Sequence, residues 1–131
     1  MENWSKKLHV ESSLPAKPGQ HAMFVGRWQP LHTGHQELFK RAMDEGKNVL
    51  ICIRDIQPDE KNPFTAQQVL ENITEFYQNE SRVKVMVIPD ICSIEFGRGV
   101  GYDIIEHVPP TAIGEISATK IREQLRHEGK L

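Results

Sequence analysis

Cysteine is scarce in this chain: Cys52 and Cys92 are its two examples, and both lie in apolar runs. No disulfide framework holds such a sequence together, and two buried, reduced thiols are expected. An excess of charge of either sign is also missing, with a formal net charge of −2 at pH 7. Without a basic surplus, neither a nucleic-acid partner nor an anionic membrane surface is expected. No apolar run nears the ~20 residues of a membrane span. Residues 1–20 have no apolar core of the signal-peptide kind, so a cytoplasmic location is the expectation. Internal repeats and low-complexity tracts are absent as well.

What is present is an alternation of short apolar runs and amphipathic stretches. With 131 residues, 38% hydrophobic and 26% charged, the chain can bury one core. Residues 1–20 read as an N-terminal extension, anchored by Trp4, Leu8, Val10 and Leu14, and residues 21–131 as a single domain. His21 to Val25 forms a first strand. Leu38, Phe39, Ala42 and Met43 mark one face of a helix over Gln36 to Glu45, stopped by Gly46. Val49 to Ile53 is nearly continuous in apolar residues, as in a strand covered on both faces. Thr65 caps a second helix, with Gln68 placed for a capping box. A third strand spans Arg82 to Ile88. Asp90 to Ile116 contains Gly97, Gly99 and Gly101, then a strand-like run from Tyr102 to Val108. A last helix runs from about Ser117 to Glu128. This order predicts an α/β fold with a parallel sheet and right-handed crossovers. Ligands of such sheets sit beyond the carboxyl ends of strands, so the loops after the first three strands are the expected site.

The loop after the first strand is the most distinctive stretch: Gly26-Arg27-Trp28-Gln29-Pro30-Leu31-His32-Thr33-Gly34-His35. A strand that stops at glycine and opens a helix through a tight loop can present backbone amides to phosphate. His32 and His35 add donors for an anion without a permanent charge, and Gly34 permits close approach of the backbone. The ordinary structural reading is a pair of surface or helix-capping histidines. A zinc site lacks the usual ligand spacing.

This stretch resembles the Gly-x-aromatic-x-Pro-x-His-x-Gly-His signature of the nucleotidylyltransferases. Near the end of the chain, Ile116-Ser117-Ala118-Thr119-Lys120-Ile121-Arg122 is similar to the superfamily's second signature, Ile-Ser-x-Thr-x-x-Arg. Lys61-Asn62-Pro63-Phe64-Thr65 resembles a stretch of archaeal-type nicotinamide mononucleotide adenylyltransferases, although this chain is shorter. The resemblance covers roughly residues 21 to 128. It implies a Rossmann-like parallel sheet sandwiched by helices, and transfer of a nucleotidyl group from a nucleoside triphosphate to a phosphate-bearing acceptor. It assigns His32, His35 and Arg122 to the reacting phosphates. Gly26, Arg27, Trp28, Gln29, Gly34, Ser117 and Thr119 are assigned to nucleotide binding. Arg27 and Gln29 look like the adenylyltransferase version, which favours ATP over CTP. Arg54, Lys61 and Arg98 are candidates for a small phosphorylated acceptor. Mg²⁺ would come with the triphosphate, with no metal held by the protein's own ligands. By analogy with small relatives, a homodimer is expected.

The acceptor stays open between a phosphorylated alcohol, a sugar phosphate and a nucleotide. Three other readings compete. One is a CTP-dependent cytidylyltransferase of the glycerol-3-phosphate type. Another is a nucleotide-binding module without catalysis. The last is a metal-dependent hydrolase built on His32, His35 and Asp55 or Asp90.

Overall fold

The computed structural model describes residues 5–10, 19–97, 102–107 and 118–129. Their elements, in order, are β1 (Ser5–His9), β2 (His21–Gly26), α1 (Thr33–Asp44), β3 (Asn48–Asp55), α2 (Ala66–Phe76), β4 (Val83–Pro89), β5 (Ile104–His107) and α3 (Ala118–His127). The expected strands and helices of residues 21–89 are all found, with ends shifted by a residue or a few.

β2, β3 and β4 form a parallel sheet in that order, with Val25 opposite Cys52 and Cys52 opposite Met86. Two successive crossovers in one direction place α1 and α2 on the same face. There Val49, Ile51 and Ile53 of β3 meet Phe39 and Ala42 of α1 and Val69 and Ile73 of α2. All seven are buried, and each large aliphatic removed from water contributes about 1.5–3 kcal/mol. On the opposite face coverage is uneven. Cys52 is buried, but Met23 and Met86 on the flanking strands are 58% and 45% exposed. The expectation of coverage on both faces thus holds for the middle strand. Cys92 departs from the expected pair of buried thiols: it is exposed, because it lies past Pro89, where the sheet has ended.

Two caps define where the helices run. Thr65 Oγ1 accepts the Gln68 N–H at 3.1 Å, and Gln68 Oε1 accepts the Thr65 N–H at 2.8 Å, the capping box expected for α2. Gly46 follows α1 with φ of +87°, a conformation that costs other residues but not glycine. Arg82 then fastens β4 to the end of α1. Its Nη2 donates to the carbonyls of Met43 and Lys47 at 3.0 and 2.6 Å, and its Nε to Asn48 Oδ1 at 3.3 Å.

The run Tyr102 to Val108 does contain a strand, but β5 pairs antiparallel with β1 in a separate two-stranded sheet. Facing side chains across this pairing are complementary. Lys6 lies opposite Glu106, Lys7 Nζ is 3.8 Å from Asp103, and Ser5 Oγ is 2.9 Å from His107 Nδ1. The His107 ring stacks on Phe24, centroids 5.9 Å apart, and so links this small sheet to β2. The stretch read as an extension therefore contains a strand. Among the described residues no helix is long and apolar enough to cross a membrane.

Candidate active site

His32 is the N-cap of α1. Its Nδ1 accepts the N–H groups of Gly34 at 3.1 Å and His35 at 3.4 Å. Its own N–H donates to His35 Nδ1 at 3.2 Å, closing a capping box made of two histidines. The two rings stack with centroids 3.5 Å apart. Because each Nδ1 accepts a hydrogen bond, each neutral ring carries its proton on Nε2 and offers a donor there. Burial pushes the His32 pKa down. Burial, with the charge of His32 added, pushes that of His35 down to about 4. At neutral pH the loop thus presents two uncharged Nε2–H groups. The backbone amides expected to face a phosphate are partly engaged already: those of Gly34 and His35 point into the His32 ring, and Gly34 is buried.

The rest of the loop is an internal scaffold. Trp28 is 7% exposed and has φ of 52°, a left-handed backbone that costs a bulky residue about 1–3 kcal/mol. Its indole Nε1–H donates to the Cys52 carbonyl at 3.0 Å. The ring packs edge-on against His35 and Phe39, at 4.8 and 5.3 Å between centroids. Gly26 is required by this ring, since a Cβ there would lie 2.9 Å from two indole carbons. Gln29 is 4% exposed, and its carboxamide pairs with the backbone of Phe64. Nε2 donates to the Phe64 carbonyl and Oε1 accepts the Phe64 N–H, both at 2.9 Å. Trp28 and Gln29, expected against the nucleotide, are thus held within the protein. The Gln29–Pro30 peptide is cis, and Arg27 is exposed at the end of β2.

Arg122 is brought to this loop from 93 residues away: its Nη1 donates to the Gln29 carbonyl at 2.6 Å, and it is 7% exposed. Arg126, one turn on, donates to the Glu60 carbonyl. Thr119 lies in the first turn of α3, whereas Ser117 and Arg98 lie outside the described residues.

Of the acceptor candidates, Lys61 is exposed. Its turn is held by Asp59 Oδ1, which accepts the N–H groups of Lys61 and Asn62 at 2.8 and 2.7 Å. Those bonds, Asn62's first, hold the Asp59 carboxyl below its usual pKa. Arg54 departs from expectation. Its guanidinium bonds Asp90 Oδ1 at 2.7 Å from Nη2 and 2.9 Å from Nε, and Nη2 also reaches the Ile91 carbonyl at 3.0 Å. That fork ties the ends of β3 and β4 together. Asp90 is likewise engaged, and among the described residues no group of three His, Cys, Asp or Glu could hold a metal ion. Trp28, Pro30, Phe64 and Val69 border a cleft of about 350 Å³ between the histidine loop and α2. Asp59 and Phe64 lie in a loop expected at the site, but no role was assigned to either, although the Asp-x-x-Asn spacing of Asp59 and Asn62 is a turn signal.

A family model described as cytidylyltransferase-like matches residues 23–113. The match stops short of the second signature. The nicotinamide-nucleotide adenylyltransferase of Methanococcus vannielii is 33% identical over 91 residues, which are 68% of this chain and 51% of that protein. The enzyme of the same name from Picrophilus torridus is 47% identical over 47 residues, 34% of this chain and 28% of that one. This chain therefore spans about half, or less, of these curated relatives. A solved bifunctional NMN adenylyltransferase/ADP ribose pyrophosphatase from Francisella tularensis is 29% identical, with a TM-score of 0.48, covering 55% of this chain and 23% of its own.

Proposed function

Because this chain belongs to the cytidylyltransferase-like family, we propose that it is a nucleotidylyltransferase that moves AMP from ATP to a phosphate-bearing acceptor. One observation carries this reading: two stacked, neutral imidazoles with Nε2–H donors, on the loop to which Arg122 is docked. The names of the relatives make ATP and nicotinamide mononucleotide the first substrates to test. In the reaction, an acceptor phosphate oxygen attacks the α-phosphorus. That P–O bond forms while the bond to the bridging α–β oxygen breaks, and its electron pair leaves with pyrophosphate. No protein nucleophile is needed, so catalysis rests on positioning and on donors aimed at developing charge. His32 and His35 donate to the α-phosphate, and Arg122 steadies the departing pyrophosphate with Ser117 and Thr119. Gly26 and Gly34 shape the loop that Trp28 and Gln29 brace, and Arg27 meets the nucleotide from its rim. Lys61 and Arg98 are the acceptor contacts; Arg54 supports the acceptor side through Asp90.

With no three-ligand cluster among the described residues, this reading has Mg²⁺ bound by the triphosphate and neutralising its charge. The same proposal includes a cytoplasmic homodimer with no nucleic-acid or membrane partner, and residues 21–131 as the transferase domain. Light scattering tests the dimer.

The direct experiment pairs thermal shift with pyrophosphate release, using Mg-ATP or Mg-CTP, and nicotinamide mononucleotide or glycerol 3-phosphate. ATP at a hundred times its Kd is expected to add about 2.7 kcal/mol of stability, and nicotinamide mononucleotide to release pyrophosphate. A shift without release would indicate a binding module. Turnover with CTP and glycerol 3-phosphate alone would favour the cytidylyl reading. If neither nucleotide raises Tm, the transferase reading falls.

A further inference from the structure

We propose that Gln29 is a positioning residue that couples the loop after β3 and helix α3 to the two histidines. The inference rests, for its catalytic consequence, on the transferase reading above. Gln29 sits where three segments meet. Its carboxamide forms a two-point pair with the Phe64 backbone, donor to acceptor and acceptor to donor, as neighbouring strands do. Its own carbonyl accepts Arg122, which α3 supplies. α3 is fastened a second time, by Arg126 to the Glu60 carbonyl, on the same loop that Gln29 holds through Phe64. The three links form a closed triangle: histidine loop to the β3–α2 loop, that loop to α3, and α3 back to the histidine loop.

Gln29 is also three residues before His32, the N-cap on which both imidazoles depend. Gln29 is 4% exposed and its pair with the Phe64 backbone is part-buried, so losing that pair leaves the Phe64 N–H and carbonyl without their partner where water reaches only in part. The loop relaxes to satisfy them. That moves the Arg122 acceptor and the Nε2–H donors together, and small displacements of such groups cost up to about 10²-fold in rate. Gln29 thus acts through Arg122, His32 and His35 rather than by touching substrate.

The test uses Gln29→Met, which keeps the volume and removes both carboxamide bonds. Gln29→Glu, which keeps the bond from the Phe64 N–H, serves if the first variant does not fold. Thr65→Ala is the control, since it weakens the adjacent α2 cap without touching the triangle. Hydrogen exchange in the full chain is expected to show residues 59–64 and 118–127 losing protection together in the Gln29 variant, and neither in Thr65→Ala. Turnover with Mg-ATP and nicotinamide mononucleotide is expected to fall by about 10- to 100-fold, with kcat falling and the KM for Mg-ATP rising, while Thr65→Ala stays within twofold. Unchanged protection of α3, or equal kinetic losses in the Gln29 and Thr65 variants, would overturn the proposal. A wild-type protein that neither binds nor turns over ATP sinks the transferase reading instead, and the exchange data still decide the coupling.

Discussion

On the transferase reading each histidine of the loop has two jobs, a capping bond at Nδ1 and a phosphate donor at Nε2, so substitutions can separate them. His32→Asn preserves an N-cap side chain, since asparagine is among the best capping residues, but removes the Nε2–H. Its turnover is expected to drop on the order of 10²–10³-fold with little change in Tm. His32→Ala should lose the same activity and also about 1 kcal/mol of stability. The pH dependence follows from His35. The unfolded ring protonates near its ordinary 6.5, the folded ring only near about 4. Between those values the unfolded chain binds more protons, so stability rises with pH and falls on acidification through this window. Tm measured from pH 7 down to 4 should drop more steeply in the wild type than in His35→Gln, with on the order of 2 kcal/mol at stake after solvent screening. Gly26→Ala is expected to lose about 1–3 kcal/mol through its clash with the indole, and less in a Trp28→Phe background, whose smaller ring lacks the contacting carbons. The motif residues were legible in the sequence, yet Gln29 and Arg54 could not be seen as engaged, because their partners Phe64 and Asp90 are 35 and 36 residues away.

The helices and strands differ in how openly they announce themselves. Thr65 and Gln68, three apart before an apolar stripe, state the start of α2 outright. The start of α1 is stated less openly: capping histidines are one reading of the loop, yet the sequence pattern places the helix from Gln36, three residues late, because histidine is not a usual N-cap and its capping depends on the ring of His35. Arg82 gives no local signal either, although it holds together the end of α1 and the starts of β3 and β4. Arg82→Met should therefore cost about 2 kcal/mol, the loss of charged hydrogen bonds to part-buried carbonyls. Denaturant unfolding would register it, and activity per folded molecule should be unchanged, since these contacts lie at the end of the sheet away from the histidines.

At the scale of the whole molecule, two sheets meet through the Phe24–His107 stack. Removing residues 1–10 takes away β1 and leaves β5 with an open edge. The truncated chain is expected to melt lower and to aggregate on heating, while the Tm increment from Mg-ATP persists. Loss of that increment would show that the small sheet contributes to the nucleotide site. The alternation from His21 to Pro89 and the place of the histidine loop within it follow from the sequence alone. Period, caps and glycine stops are local properties, readable within a dozen residues. The partners of β5 and of Arg122, and the nitrogen each imidazole leaves for a ligand, were decided only by the tertiary structure. Those outcomes depend on which donors and acceptors burial brings within 3 Å of each other. Groups 24 to 102 residues apart, such as Trp28 with Cys52 or Ser5 with His107, carry no mark of that meeting in their own neighbourhoods.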